Sequence, residues 1–327
     1  MTKPIFIIGP PRSGTTLVAE VLNQHPDICI TLETHFFEEI FPLINTIDFS
    51  RKEQARQFAS KVIETNIRHL SSEQVEKYEM NKMDPNKLGD IFLKRHGGGK
   101  DILEGYLSYR SSLEGGAIIG EKTPKHTFYL TEIFNLYETP RIIFVVRNGL
   151  DFLASYKQKH GPNRPKDNPE LYHPVVTSYM WRKSIQNIVK YLGTPSTIRV
   201  QYEKFVNNPQ EQIEILCDFL KLSFNSTMLE PGTDNSTYKT AQSETEIHTK
   251  SIGRWKNVLN NSEVQIFRHV SGHISSKLGH DVPKITGTFS KLIYHYLSTP
   301  FSLMQSLLSK NPDFLTRYVN KRLNNKG

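Results

Sequence analysis

The sequence predicts an α/β protein: a P-loop-like, doubly wound, mostly parallel five-stranded sheet with helices on both faces. Three observations predict it. Short runs of β-branched and aromatic residues recur near residues 5, 28, 117, 142 and 198, separated by longer stretches with helical spacing. The first run passes through a glycine-bounded loop straight into a helical pattern, which is the layout of a phosphate cradle. Side chains able to carry chemistry stand just after several of these runs, where open α/β sheets bind ligands.

Ile5 to Ile8 reads as the first strand. The loop is Gly9-Pro10-Pro11-Arg12-Ser13-Gly14-Thr15-Thr16, and Leu17, Val18, Val21 and Leu22 then share one helix face. The spacing G-x-x-x-x-G is that of a P-loop, but Thr15 stands where such a loop has Lys. A nucleotide triphosphatase sets that Lys against its β- and γ-phosphates and a Ser or Thr on Mg²⁺. Arg12 is the only cation in this loop. The cradle therefore suits a phosphoanhydride carrying less charge than ATP with Mg²⁺. A P-loop kinase or triphosphatase is one rival reading, and a non-catalytic nucleotide-binding module is the other.

The first helix ends near His25-Pro26, and Ile28 to Ile30 forms the second strand. Glu33, Thr34 and His35 follow it. Position alone leaves Glu33 open as a proton acceptor or as a charge at a helix start. Residues 36–94 read as mostly helical, and residues 96–100, with three successive glycines and no strand before them, read as a linker. Ala117 to Gly120 is a strand, followed by Glu121-Lys122-Thr123-Pro124-Lys125-His126, where Pro124 can start a helix. An ammonium at Lys122 can meet charge developing on a leaving oxygen.

Arg141 to Val146 is the clearest strand. It delivers Arg147, with Ser155 eight residues later. If a helix begins near Asp151, Arg147 and Ser155 can grip one phosphate, the Arg through its bidentate fork. An Arg147–Asp151 ion pair is the alternative. Residues 157–173 read as a loop, and Val176 to Leu192 as a helix with Trp181 in the core. Thr197 to Gln201 is the last strand and leads to Tyr202, as plausible in the core as at a ligand. Asn208-Pro209 opens a helix that buries Ile213, Leu216 and Leu220. Residues 223–250 are polar and irregular. The run 249–256 is either a basic closing loop, with Lys250, Ser251 and Arg254, or a helix capped by Ser251 with Trp255 in the core.

The 327 residues divide by this reading into a main domain, 1–284, and a basic, aromatic-rich helical extension, 285–327, broken at Pro300 and Pro312. Packing of that extension on the domain is favoured over peripheral membrane contact. The net charge of +8 is scattered and no nucleic-acid motif appears, so no nucleic-acid partner is expected. Two cysteines far apart in sequence, Cys29 and Cys217, give neither a disulfide framework nor metal-ligand spacing. With no apolar run of spanning length and no leader before the first strand, a cytoplasmic protein is expected, and a homodimer is left open.

Pro10 to Leu17 resembles the 5′-phosphosulfate loop of sulfotransferases, which move a sulfuryl group from 3′-phosphoadenosine 5′-phosphosulfate (PAPS) to an acceptor. The series Arg12 to Thr16, His25-Pro26-Asp27 and Glu33-Thr34 is similar to protein-tyrosine sulfotransferases over this span. That resemblance implies Glu33 as catalytic base with His35 as its rival, and Arg12, Ser13, Gly14, Thr15 and Thr16 on the 5′-phosphosulfate. Glu121 to Pro124 resembles the family's E-K-T/S-P turn, which implies that Lys122 holds the departing oxygen. Arg147 and Ser155 resemble its R-x7-S signature for the 3′-phosphate, and Tyr202-Glu203 its adenine-contacting tyrosine. Lys250, Ser251 and Arg254 fall in a looser match to its C-terminal nucleotide loop. The family implies PAPS as co-substrate, PAP as product, no required metal, and a small-molecule, glycan or peptide acceptor bearing a hydroxyl or amine.

Overall fold

A computed structural model describes residues 3–68, 70, 72–77, 80–95, 98–160, 172–231 and 247–310. The chain separates into two compact units: Met1–Arg147 with Asn187–Thr249, and Asn148–Gln186 with Lys250–Gly327.

The first unit holds a five-stranded sheet of β1 (Ile5–Ile8), β2 (Ile28–Thr31), β3 (Ile118–Lys122), β4 (Arg141–Val146) and β5 (Thr197–Gln201), in the order β2-β3-β1-β4-β5. Every pairing is parallel, with Ile5 opposite both Gly120 and Arg141 and Ile142 opposite Thr197. The four residues of β1 are fully buried, which is why the strand reads as an unbroken apolar run: both faces of a parallel sheet are covered. The chain leaving β1 returns at β2 on one side of it, and the chain leaving β4 returns at β5 on the other side. The carboxyl ends of β1 and β4 therefore flank a topological switch point, the place in an open sheet where ligands bind.

Around the sheet stand α1 (Thr15–Asn23), α2 (Lys52–Ile67), α3 (Ser72–Lys77), α4 (Pro85–Lys94), α5 (Gly99–Glu114) and α6 (Leu130–Leu136). Two short turns of helix matter below: a π-helical turn at Phe36–Ile40 and a 3-10 turn at Pro124–Phe128. Asp84 caps α4, accepting from the Asn86 N–H with Pro85 in the first turn, a start signal written in the sequence. Phe49, Phe58 and Phe92 form an aromatic knot where α2 packs on α4.

The second unit is helical: α7 (Gly149–His160), most of α8 (Pro174–Val189), α11 (Trp255–Val258), α12 (Asn261–Lys277) and α13 (Phe289–Lys310), where α9 (Tyr202–Asn207) and α10 (Pro209–Leu220) belong to the first unit. Trp181 is fully buried, as its place in the α8 pattern predicts, with its ring centroid 5.3 Å from that of Phe267. A capping box formed by Asn260 and Glu263 starts α12. Glu263 also accepts from Lys157 Nζ and the Tyr172 hydroxyl, each at 2.7 Å. Among the described residues no helix is long and apolar enough to cross a membrane.

Five local expectations need correction. β3 does not stop at Gly120 but runs through Lys122, because Glu121 finds hydrogen-bond donors and Lys122 a carboxylate that let charged residues finish the strand. Gly99 and Lys100, read as linker, are the first turn of α5, and a Cβ on Gly99 would come 2.4 Å from the Phe41 ring, so that glycine serves close packing. Lys157 to His160, read as loop, complete α7. Ser251 does not cap a helix, since α11 starts after Arg254, and Trp255 is only half-buried. Pro300 lies inside α13 instead of ending it. Pro300 is exposed, and on a solvent-facing side of the helix a carbonyl that loses its N–H donor to proline can be solvated instead. His96, Gly97, Pro312 and residues 161–171 lie outside the described residues.

Candidate active site

The loop after β1 is a turn in which the Ser13 N–H donates to the Pro10 carbonyl at 3.1 Å. Arg12 (φ 69°) and Gly14 (φ 95°) both lie in the left-handed region, which turns successive backbone N–H groups inward as an anion nest. Gly14 then stands at the N-terminus of α1. A Cβ there would meet the Tyr202 ring at 2.4 Å, so the position requires glycine twice over, for its backbone and for its neighbour. The Ser13 hydroxyl is buried and has no hydrogen-bond partner among the described residues. Thr15 is buried beside it, and Thr16 is half-buried.

Arg147, directly after β4, reaches this loop. Its Nη1 donates to the Arg12 carbonyl at 3.1 Å, and its guanidinium carbon lies 4.6 Å from the centroid of the Tyr202 ring. Tyr202 opens α9 immediately after β5 and is buried between Gly14 and Arg147. The carboxyl ends of β1, β4 and β5 thus bring Arg12, Ser13, Gly14, Arg147 and Tyr202 to one place. A desolvated guanidinium on an aromatic face is worth about 1–2 kcal/mol, enough to fix which way Arg147 points.

The carboxyl ends of β2 and β3 supply a second cluster. The β1–β3 register sets Lys122 opposite Ile7, two residues before the loop. Lys122 is buried, and its Nζ lies 3.0 Å from Glu33 Oε1. The Glu33 side chain is 37% exposed, whereas His35 is buried. Burial pushes the Glu33 carboxyl up, but the Lys122 charge and hydrogen bond, aided by His35 and Lys125, outweigh it and hold the group below its ordinary value. His35 has φ 48°, a left-handed position that aims its ring between two carboxylates: Nε2 is 3.7 Å from Glu33 Oε2 and Nδ1 is 2.5 Å from Glu38 Oε1. Glu38 also faces Lys125 at 3.4 Å and His126 at 3.9 Å. Burial raises its pKa, and the His35 hydrogen bond with the charges of His126 and Lys125 brings it below the ordinary carboxylate value on balance. Behind it, fully buried Glu121 accepts from the Thr34 hydroxyl (2.9 Å), from Thr123 and from His126 Nδ1 (2.7 Å). Those three donors satisfy a carboxyl group that is shut away from water.

In the second unit Ser155 sits on α7, one turn after buried Asp151. Asp151 accepts from the backbone N–H groups of Gly253 (2.8 Å) and Trp255 (3.0 Å), fixing the turn that carries Lys250, Ser251 and Arg254. The hydrogen-bond partners of Asp151 are thus backbone groups of that turn. Asn148 caps α7 by accepting from the Leu150 and Asp151 N–H groups.

Sequence reasoning had no part for Glu38 or Glu121 in the site. Glu38 carries a faint signal, because it stands three residues after His35 on a helical turn. Glu121 carries only its place at the head of the Glu121–Pro124 motif, which assigns it no role; its three donors come with the fold.

Residues 4–226 match the family model described as "Sulfotransferase family". The chain belongs to the sulfotransferase family. Similar proteins include a "Putative protein-tyrosine sulfotransferase" of Caenorhabditis briggsae, 22% identical over 85% of this chain and 89% of its own length. The "Nodulation protein NoeE" of Sinorhizobium fredii is 24% identical over 64% of this chain, and an "Uncharacterized protein" of Aquifex aeolicus is 23% identical over 78% of it. This chain spans 48% of the length of the nodulation protein and 30% of the Aquifex one. Two solved structures share the fold: the sulfotransferase domain of the curacin biosynthetic pathway (TM-score 0.54, 20% identity, 86% of this chain and 99% of that one) and that of the Synechococcus olefin synthase (TM-score 0.52, 20% identity, 86% and 98%). Family membership makes this chain one of a group of transferases, and the two clusters at the strand ends are where its chemistry is to be sought.

Proposed function

We propose that this sulfotransferase-family chain moves a sulfuryl group from PAPS to a hydroxyl or amine acceptor, with Glu33 as the general base. The observation that carries the reading is the meeting of Arg147 with the Arg12 backbone over a loop whose buried Ser13 hydroxyl lacks a partner. Inward N–H groups, a partnerless hydroxyl and two guanidinium groups fit a nucleotide that is phosphorylated at two separate positions. Thr15 in place of a P-loop lysine counts against a kinase or triphosphatase.

In this reading Arg12, Ser13 and the N–H groups up to Thr16 hold the 5′-phosphosulfate. Arg147 takes the 3′-phosphate, and Tyr202 positions Arg147 and the loop. Glu33 removes the acceptor's proton as the acceptor atom bonds to sulfur. The bond from sulfur to the bridging oxygen breaks, and the electron pair leaves with the phosphate of PAP, where Lys122 meets the new charge. The 3.0 Å contact of Lys122 with Glu33 couples the two events. As the ammonium turns toward the departing oxygen, Glu33 loses the charge that keeps its pKa low and becomes a stronger base when a base is needed. His35, buried between two carboxylates, positions Glu33 and is the weaker candidate for base. For Ser155, Lys250, Ser251 and Arg254 the proposal rests on sequence resemblance alone, which assigns them to the nucleotide. No metal has a role in this scheme, so activity should survive EDTA.

The deciding experiment measures transfer from sulfur-labelled PAPS, and binding of PAPS against adenosine 5′-phosphosulfate, in the wild type and Arg147→Ala. The expected result is a loss of PAPS affinity of about 10–100-fold, as for a charged hydrogen bond, with a much smaller loss for the donor lacking the 3′-phosphate. Equal losses for both donors would overturn the assignment of Arg147.

A further inference from the structure

Helix α13 is amphipathic the wrong way round. Its positions shielded by the second unit are Leu292, His295, Ser298, Thr299 and Ser302, almost all polar. Ser298 Oγ meets His173 Nε2 at 3.0 Å, the His295 and His173 rings meet edge to face, and the Tyr296 hydroxyl reaches His269 at 3.4 Å. The opposite face is apolar and open. Phe289 is 77% exposed, Leu297 75%, Tyr294 67% and Phe301 57%, with Ile293 and Pro300 between them. Phe289, Ile293, Leu297 and Phe301 repeat every fourth residue, so they form one stripe along three turns of helix. Scattered apolar residues on a surface need no explanation, but a continuous stripe of large ones marks an interaction surface.

We propose that α13 docks this protein on an anionic lipid surface. Charge chooses that occupant. Residues 285–327 contain Lys291, Lys310, Arg317, Lys321, Arg322 and Lys326 against Asp313 alone, an excess of +5 in a chain of net charge +8. A second copy of the chain would set two such excesses against each other, whereas an anionic bilayer complements them. The composition of the stripe agrees. Phe and Leu suit the acyl boundary, and Tyr294, 67% exposed, has the apolar body and polar tip found at headgroup level. A helix lying in the interface plane needs only one apolar face, which is what α13 presents, and it requires no spanning length.

The test is flotation of the full-length protein with phosphatidylcholine vesicles, with and without phosphatidylserine, at low and high salt. Binding is expected on the vesicles containing phosphatidylserine, weakened by salt. Leu297→Glu and Phe301→Glu should each reduce it by about tenfold or more, since each removes one buried apolar side chain. Lys291→Gln should reduce it by roughly fivefold, as expected for removing one charge near an anionic surface. All three side chains are exposed, so an unchanged circular dichroism spectrum and melting temperature are expected, and Leu297→Ser repeats the test without adding charge. Absence of binding, equal binding to phosphatidylcholine alone, or wild-type binding by Leu297→Ser would each overturn the proposal. So would light scattering that finds a dimer which Leu297→Glu converts to monomer, because the stripe would then belong to a second copy.

Discussion

The two clusters at the strand ends are built from different materials. The loop after β1 is made mostly of backbone: two left-handed residues, a helix start, and the buried Ser13 hydroxyl without a partner. The corner after β2 and β3 is made of side chains that already face one another: Lys122 on Glu33, His35 between Glu33 and Glu38, and His126 on Glu121. The first is a nest of backbone donors, whose chemistry suits an anion. The second is a balanced set of charges in which moving one changes the others. Substitutions in the loop should therefore act on donor binding, and those in the corner on rate and its pH dependence.

The largest expected effect tests that division most severely. Glu33→Gln should lower kcat by about 10²–10⁴-fold, the range for losing a general base, while PAPS affinity measured by calorimetry stays near wild type. A parallel loss of affinity would erase the distinction between the two clusters. Gly14→Ala should do the reverse: it forces a Cβ into a left-handed position and against the Tyr202 ring, so donor binding should be lost and stability should fall by about 1–3 kcal/mol in a denaturant titration.

The pH profile sharpens the description of the corner. Glu33 works as a base only when ionised, and its pKa is held below the ordinary value of 4.5, so kcat/KM should stay level from neutrality down past that pH before it falls. Lys122→Met removes the strongest influence lowering that pKa and leaves the burial that raises it. The acid limb should then move to higher pH, beyond the loss of rate from the missing ammonium; a limb that stays in place would mean that another group titrates. The smallest effect is expected for Tyr202→Phe, which keeps the ring against Gly14 and Arg147 and should leave donor affinity within about twofold, since ring packing and the cation–π contact carry its role.

The same contrast explains what was legible in the sequence. Backbone geometry is encoded locally: a β-branched run, two glycines at P-loop spacing and a helical pattern announce β1, the loop and α1, and β1 and β4 were the plainest strands because a central parallel strand is apolar almost throughout, whereas β3 and β5 mix in charged residues. The side-chain network is encoded nowhere in particular. Thr34 and Glu38 come from one segment and Glu121 and His126 from another, more than eighty residues on, and nothing in either says that they will meet. Arg147 and Ser155 were visible as a spaced pair, yet the Arg147–Tyr202 contact depends on β4 and β5 being neighbours, which strand order decides. Pro300 misled for the complementary reason: proline reads as a break, but an exposed helix face tolerates it.

Three non-glycine residues among those described adopt left-handed backbone: Arg12, His35 and Lys221. Lys221 is an ordinary helix ending, where the Leu222 N–H closes back on the Cys217 carbonyl. Arg12 is the third residue of the turn that the Ser13 N–H closes on the Pro10 carbonyl, just after Pro11, where such a turn requires a positive φ. At both Arg12 and His35 a side chain stands where glycine or asparagine would sit more easily, at a cost of roughly 1–2 kcal/mol each. A laboratory selection for heat resistance alone would therefore be drawn to these two codons, trading arginine and histidine for glycine or asparagine; on the roles proposed above for these two side chains, its most robust survivors would also be its slowest at sulfuryl transfer.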